Sequence, residues 1–216
     1  MKGLLTNNYY ATVANAKIFS IAMVLLCALA IVMKNLVFFI GFMVLCMIGF
    51  SLISIAGLRR DLGTKWNKYK LTVPVRRTDI IRSYYLSLIL WLLLGMIIVG
   101  SGVACSIILR SFILDLYIDI YNMYVFSVGV SLFIGAVFFP LFFSRGGEDR
   151  NEALLAISLL CGNGIVSGMI VLMNRLFSDM TDTEIIIAGM IILAIAMIAF
   201  VLSCILTIRI YRKRDY

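Results

Sequence analysis

Six stretches without a single charged residue cover most of this 216-residue chain. Five hold 22 residues or more and the first holds 16; they are residues 18–33, 35–58, 83–109, 120–144, 153–174 and 185–208. A helix needs about 20 apolar residues to cross a hydrocarbon core of about 30 Å. Charged residues make up 14% of the chain, against about 25% in a soluble domain. The pattern excludes a soluble protein and predicts an all-α, polytopic fold with six transmembrane helices.

The first stretch is short for a span. It still crosses if Lys17 and Lys34 extend their aliphatic stems along the helix and place their ammonium groups at the two interfaces. A cleavable signal peptide is the competing interpretation, because Lys2 precedes an apolar run. No small-residue cleavage site follows Met33, however, and the second stretch begins almost at once. We therefore predict a first span and no targeting segment.

Lys and Arg are distributed unequally between the connections, and short basic connections stay in the cytoplasm. With the N-terminus inside, the inner segments carry 16 basic residues and the outer ones three, which are Lys34, Arg110 and Arg175. We therefore predict that both termini are cytoplasmic.

The uncharged stretches lack the groups that do chemistry in membranes. Ion-coupled carriers usually keep Asp, Glu, His or Arg within their spans, whereas these stretches contain none and the chain has no histidine. Their Ser and Cys residues have no base partner, so we predict no catalytic residue and no metal site. The sequence GLRRDLGTK at 57–65 lacks the spacing of a nucleotide-binding loop. The chain is thus predicted not to be an enzyme and to hold no cofactor, and any transport needs energy from another polypeptide.

Residues 59–82 contain eight of the 19 Lys and Arg residues but only two of the 11 acids. Pro74 biases the preceding residue toward an extended conformation and ends a helix there. Thr78 is a predicted N-cap, with Asp79 at the positive end of the next helix dipole. Before Pro74, four residues recur at helical spacing and predict a helix on the membrane surface: Leu58, Leu62, Trp66 and Tyr69. A simpler interpretation is positive-inside charge with an interfacial aromatic belt.

The sequence KWNKYKLTVPVRRTDIIRSYYL, residues 65–86, resembles the loop between the second and third spans of small six-span ABC exporter permeases of bacteria. The matching residues are Trp66, Tyr69, Leu71, Thr72, Pro74, Val75, Arg77, Asp79, Ile80 and Tyr85. The residues that depart from the family pattern are Val73, Arg76, Thr78 and Tyr84. A weaker resemblance lies in FFPLFFSRGGEDRNE at 138–152, through Pro140, Leu141, Phe143 and Gly146.

The resemblance implies a coupling helix that docks on a separate ATP-binding subunit, which would hold the ATP and Mg²⁺. Within this segment we predict that the contact is made by Asp61, Lys65, Trp66, Tyr69, Pro74, Arg76, Arg77 and Asp79. The resemblance also implies a dimer of permeases, either two copies or a pair with a related subunit.

The resemblance further implies an interfacial elbow helix at residues 1–17; a frayed start to the first span is the alternative. The chain then divides as a single transmembrane domain, 1–216, with these parts: elbow 1–17, spans one and two 18–58, coupling loop 59–82, spans three to six 83–208, and basic tail 209–216.

Two groups of residues are candidates for a substrate path. Small residues spaced for close helix approach surround an amide in the fifth span, and helix packing explains them equally well; they are Gly162, Asn163, Gly164 and Gly168. In the second span, flexible thioethers suit varied apolar ligands, and lipid contact is the alternative; the residues are Met43, Met47 and Phe50. The resemblance places the path between two permeases, which favours Met43, Met47, Phe50, Asn163 and Gly164.

We therefore predict the permease subunit of an ATP-driven exporter in a bacterial plasma membrane. The sequence most resembles exporters of phenol-soluble modulins and antimicrobial peptides, which implies amphipathic or hydrophobic peptide cargo. The expected partners are an ATP-binding subunit, a second permease, the bilayer and the cargo, with no nucleic acid. The alternative is a membrane anchor or sensor that transports nothing and uses its basic loop to hold a partner or anionic lipid. A secondary carrier is a third interpretation.

Overall fold

The computed structural model describes residues 2–34, 36–62, 77–109, 117–145, 151–176 and 182–212. These residues form six helices and no strand: α1 Lys2–Met33, α2 Leu36–Leu62, α3 Arg77–Ile108, α4 Tyr117–Arg145, α5 Asn151–Leu176 and α6 Asp182–Arg212. Each helix is long and apolar enough to cross a membrane. The predicted all-α fold with six spans is thereby confirmed for the described part of the chain.

Consecutive helices run in opposite directions, so their termini alternate between the two ends of the bundle. One end, which we call the basic end, carries Arg82, Arg209 and Arg212. There, α1 meets α3 and α4 meets α6 through the pairs Asn8–Ser83 and Phe143–Tyr211. At the opposite end, which we call the acidic end, Tyr117 of α4 donates a hydrogen bond to Asp182 of α6.

The first helix differs from the prediction. No helix boundary separates residues 2–17 from 18–33, because this stretch has no proline and its one glycine, Gly3, lies at its start. The elbow predicted at 1–17 is therefore not a separate helix in the structure. At 32 residues α1 is about 48 Å long, which exceeds a hydrocarbon core of about 30 Å. An interfacial position for its first turns stays a prediction.

The fourth helix lies at the centre of the bundle. It packs against α2, α5 and α6, and a larger share of it is buried than of any other span. The α3 helix packs against α1, α2 and α6 and also touches α4. In contrast, α5 and α6 each pack on α4 but hardly touch one another. A cleft therefore runs between α5 and α6, with α4 as its floor.

The sixth helix buries one narrow stripe and exposes the rest. Its buried residues recur every three or four positions: Gly189, Ile192, Ala196, Phe200, Ser203, Thr207 and Tyr211. Residues on the other faces, such as Ile191, Ile198 and Leu202, are exposed. An apolar outer surface is what a lipid-facing helix requires, while the polar members of the stripe must find partners inside the bundle.

Candidate functional site

Most of the predicted coupling residues fall outside the described residues: Lys65, Trp66, Tyr69, Pro74 and Arg76. The structure describes the two helices that carry this loop. The α2 helix continues to Leu62, so Asp61 lies in its last turn rather than in a separate loop. Arg77 is the first residue of α3, which places Thr78 inside the helix rather than at the predicted cap. Asp79 lies in the first turn, near the positive end of the helix dipole, as predicted.

The N-terminal half of α1 joins the two helices that carry the loop. The Asn8 amide donates a 3.3 Å hydrogen bond to the Ser83 hydroxyl of α3, which in turn donates to the Ile80 carbonyl. Next to it, α1 approaches α2 so closely that a Cβ added to Gly57 would overlap Cγ2 of Thr12. The base of the loop is therefore a packed junction of three helices.

A stack of aromatic rings extends this junction toward the middle of the bundle. The Trp91 ring of α3 lies nearly parallel to Tyr9 of α1 and to Phe50 of α2, with ring centroids 6.0 Å apart in both pairs. Phe19 of α1 meets Phe50 edge-on at 5.2 Å. Such pairs stabilise a contact by about 0.5–1.5 kcal/mol beyond the area they bury. The stack therefore holds the same three helices together deeper in the span.

A proline in α4 creates a polar junction with α3 and α6. Pro140 has no N–H, so the carbonyl of Ala136, four residues earlier, loses its helical donor. An unsatisfied carbonyl within a bilayer costs several kcal/mol, and Ser or Thr side chains of neighbouring helices often supply the missing donor. Here the Ser203 hydroxyl of α6 donates to the Ala136 carbonyl at 2.6 Å.

Tyr85 of α3 completes this junction. Its hydroxyl oxygen lies 2.8 Å from that of Ser203 and 2.9 Å from that of Thr207. Thr207 donates to the Ser203 carbonyl at 2.8 Å, and Ser203 donates to Ala136. Ser203 and Thr207 each commit their one proton to a carbonyl, so Tyr85 is the donor toward them and, having one proton itself, donates to one of the two at a time. We call these residues the hydroxyl junction: Tyr85, Ala136, Pro140, Ser203 and Thr207.

Aromatic side chains surround the hydroxyl junction. The Tyr85 ring packs on Phe139 of α4 and Phe200 of α6, at centroid distances of 4.5 and 5.0 Å. One turn closer to the basic end, Phe143 lies between Tyr84 of α3 and Tyr211 of α6. The start of α3, immediately after the loop, is thus packed against both α4 and α6.

The predicted path residues of the second span lie in the core. Met43, Met47 and Phe50 are at most 1% exposed, so in this structure they offer no surface to a ligand. A role in the substrate path stays a prediction and requires the helices to separate.

The predicted path residues of the fifth span point in different directions. The Asn163 amide donates to the Leu159 carbonyl of its own helix at 3.1 Å, rather than to another helix. Gly164 and Gly168 are exposed, with nothing within 4 Å of an added Cβ. Gly162 faces inward, where an added Cβ would lie 3.3 Å from the Val130 carbonyl oxygen of α4. Of these three glycines, Gly162 alone lies at a close contact between helices.

Two crevices lie along the cleft between α5 and α6. The acidic-end crevice measures about 500 Å³, and its lining includes Asp119, Asn122, Phe126, Ile170 and Ile192. The basic-end crevice measures about 670 Å³, and its lining includes Phe133, Pro140, Ile165, Ser203, Leu206 and Arg209. Among the described residues, no group of three or more His, Cys, Asp or Glu side chains could hold a metal ion.

The hydroxyl junction and the Asn8–Ser83 contact were not predicted. A signal for the junction exists in the sequence, because Pro140 stands inside an uncharged stretch while Ser203 and Thr207 recur four residues apart in another. A proline in a span frees a carbonyl, and Ser or Thr at helical spacing is the usual source of a donor. The sequence does not indicate which of several Ser and Thr residues faces the proline.

These features define a polytopic helical membrane protein whose largest basic connection joins two firmly packed helices. The chain belongs to a known family of this class: it matches the ABC-2 family transporter protein over residues 3–212. No curated protein matches the chain, and no solved structure matches it. The chain is accordingly a membrane subunit, or permease, of an ABC transporter. The family implies an ATP-binding subunit as partner, and the resemblance noted in the sequence is confirmed at this level.

Proposed function

We propose that this permease belongs to an ATP-driven exporter and that residues 59–79 receive the motion of the ATP-binding subunit. The exporter contains two permeases, identical or related, in a bacterial plasma membrane. The excess of basic residues at one end of the bundle supports a cytoplasmic position for that end and for both termini. The cargo is an amphipathic or hydrophobic peptide, as the likeness to exporters of phenol-soluble modulins and antimicrobial peptides suggests.

The observation that carries this proposal is the packing of the first half of α3. This helix begins directly after the loop, and its side chains contact four other helices. The contacts are Ser83 with Asn8 of α1, Trp91 with Phe50 of α2, Tyr85 with Phe139 of α4, and Tyr85 with Ser203 of α6. A force applied to the loop would therefore reach α1, α2, α4 and α6 without passing through a flexible segment of α3.

The apolar spans support an external source of energy. The uncharged stretches contain no acid, base or histidine that could relay protons or bind ions during a transport cycle. An uncharged path also suits an amphipathic peptide. Gly164 and Gly168 on the outer face of α5 leave room for close approach of a second permease.

Co-purification with the ATP-binding subunit tests coupling. We expect Trp66→Ala, Pro74→Ala and Arg77→Ala each to weaken association or to reduce the ATP hydrolysis that the complex performs. Arg175→Ala is the matched control, because Arg175 lies in the last turn of α5, toward the acidic end, and should leave both quantities unchanged. Unaltered association and hydrolysis in all three loop variants would contradict the assigned coupling role.

Transport in vesicles tests the energy source. Vesicles that contain the complex should move a labelled amphipathic peptide only when ATP is hydrolysed. Movement by the permease alone along a proton or sodium gradient, without nucleotide, would contradict the proposal and favour a secondary carrier. A complex that binds its ATP-binding partner but moves no peptide would instead favour an anchor or sensor.

A further inference from the structure

We propose that the basic-end crevice between α5 and α6 binds an anionic phospholipid, with the acyl chain in the crevice and the phosphate on Arg209. The residues that line this crevice come from α4, α5 and α6. The inference does not depend on transport or on the identity of the cargo.

The shape of the cleft provides room for an acyl chain. Because α5 and α6 pack on α4 and hardly touch each other, the cleft opens sideways toward the bilayer. Apolar side chains from all three helices line most of the crevice of about 670 Å³: Phe133, Val137, Ile165, Leu202 and Leu206. A gap of this kind in a membrane would be filled by hydrocarbon rather than by water, since few polar atoms line it.

The charge at the rim selects the headgroup. Arg209 lines the crevice. Arg209 and Arg212 both lie in the last turn of α6, three residues apart and so on the same side of the helix. A guanidinium presents several donors in one plane and can hold two phosphate oxygens at once. Basic pockets between transmembrane helices are known sites for anionic headgroups.

The acidic-end crevice provides an internal comparison. It lies in the same cleft and is also mostly apolar, but it carries Asp119 where the basic-end crevice carries Arg209. A carboxylate repels a phosphate, so the two crevices should differ in their preference for anionic lipid. This difference in sign argues for a phospholipid with a net negative charge rather than for any lipid.

A bound acyl chain would also cover part of the hydroxyl junction. Ala136, Pro140 and Ser203 all line the basic-end crevice. A chain lying over them keeps water away from the Ser203–Ala136 hydrogen bond and joins α5 to α6 through shared contacts. Binding should therefore raise the thermal stability of the complex, as any ligand of the native state does.

Native mass spectrometry of the detergent-purified complex tests the site. The probes are phosphatidylglycerol and phosphatidylcholine with identical acyl chains. We expect about five- to tenfold stronger retention of phosphatidylglycerol, which corresponds to about one charge contact at the membrane surface. Arg209→Gln should remove most of this preference and Arg209→Lys should keep part of it. Arg175→Gln is the matched control and should leave the preference unchanged.

A second variant examines the acyl-chain part of the site. Ala199→Phe fills the crevice from α6 without altering charge, and we expect it to lower the retention of phosphatidylglycerol and the stabilisation that this lipid produces. Circular dichroism in lipid-free detergent shows whether each variant is folded. If a variant is not folded, the preference of Arg209→Lys for phosphatidylglycerol is used to test the site instead.

Three results would overturn the proposal. The first is equal retention of the two lipids by the unmodified complex. The second is an undiminished preference for phosphatidylglycerol in Arg209→Gln together with undiminished retention of phosphatidylglycerol in Ala199→Phe. The third is occupation of the crevice by a second copy of the chain or by the peptide cargo. It would be seen as cross-linking of Leu206→Cys to protein that added phosphatidylglycerol does not reduce.

Discussion

Ser203 donates a hydrogen bond of 2.6 Å to the carbonyl of Ala136, and this carbonyl is the one that Pro140 leaves without a helical donor. The carbonyl that a proline frees in the last third of α4 thus receives its donor from another helix. The same Ser203 hydroxyl lies 2.8 Å from Tyr85 on α3. A break in one helix ladder has therefore become a contact point for three helices.

The first prediction concerns this donor. Ser203→Ala removes the hydroxyl that donates to the Ala136 carbonyl, at little loss of volume. We expect the free energy of unfolding to fall by about 1–3 kcal/mol, because the buried Ala136 carbonyl is left without a donor. Equilibrium unfolding in mixed detergent micelles measures this change.

A double-mutant cycle with Pro140→Ala separates this effect from general packing. Alanine at 140 restores an N–H that can donate to Ala136 within α4, so the carbonyl no longer needs Ser203. In that background Ser203→Ala should cost measurably less. Equal costs in the two backgrounds would show that the Ser203 hydroxyl does not serve the freed carbonyl.

The second prediction compares two tyrosines. Tyr85→Phe removes the hydroxyl that donates to Ser203 or Thr207, and we expect a loss of about 1 kcal/mol in the free energy of unfolding. Tyr117→Phe removes an exposed hydrogen bond to Asp182, which water can replace, and should cost less than about 0.5 kcal/mol. Equilibrium unfolding in mixed detergent micelles measures both variants. A larger loss of stability for Tyr117→Phe than for Tyr85→Phe would contradict a stabilising role of the buried hydroxyl junction.

The third prediction concerns the close approach of α1 and α2. A Cβ at residue 57 would overlap Cγ2 of Thr12, so Gly57→Ala must displace the Thr12 side chain or one of the two helices. We expect a destabilisation of about 1–3 kcal/mol, the usual range for overpacking a core. Thermal unfolding of the purified permease measures it.

Two further variants control this experiment. Thr12→Ser removes the clashing methyl but keeps the hydroxyl that donates to the Asn8 carbonyl, so Gly57→Ala should be tolerated better in its presence. Gly164→Ala adds a methyl where nothing lies within 4 Å and should be neutral in the isolated permease. A Gly57→Ala variant as stable as Gly164→Ala would show that the two helices can separate freely.

The number of spans could be predicted, because a charge in the bilayer core costs several kcal/mol and long uncharged stretches therefore mark the spans. The helix ends could not, since α1 begins at Lys2 and α3 at Arg77, outside those stretches. The continuity of α1 could not be predicted either. Lys17 suggests that the helix meets an interface there, although the helix continues through this residue without a break. Lys17 is exposed on the outer side of the helix, where its long stem can reach the interface.

The direction in which each helix faces was the hardest feature to predict. A transmembrane helix is apolar on every side, so periodicity does not distinguish its core face from its lipid face. Met43 and Met47 were therefore assigned to a ligand or lipid surface, yet they lie in the core. Polar residues are the better guide, because Asn8, Thr12 and Ser203 all face inward. Asn8 and Ser203 have partners on other helices, whereas Thr12 donates to carbonyls of its own helix.

The last prediction connects the base of the loop to coupling. Asn8→Ala removes the amide that ties α1 to Ser83, while Ser83 keeps its own bond to the Ile80 carbonyl. The loss of stability should therefore stay at or below about 1 kcal/mol. If α1 braces the start of α3 while the ATP-binding subunit moves the loop, ATP hydrolysis by the complex should become less responsive to added peptide.

Asn15→Ala, on an exposed face of the same helix, is the matched control. An Asn8→Ala complex whose hydrolysis responds to peptide like that of Asn15→Ala would show that force enters the bundle through α2 and α3 without help from α1.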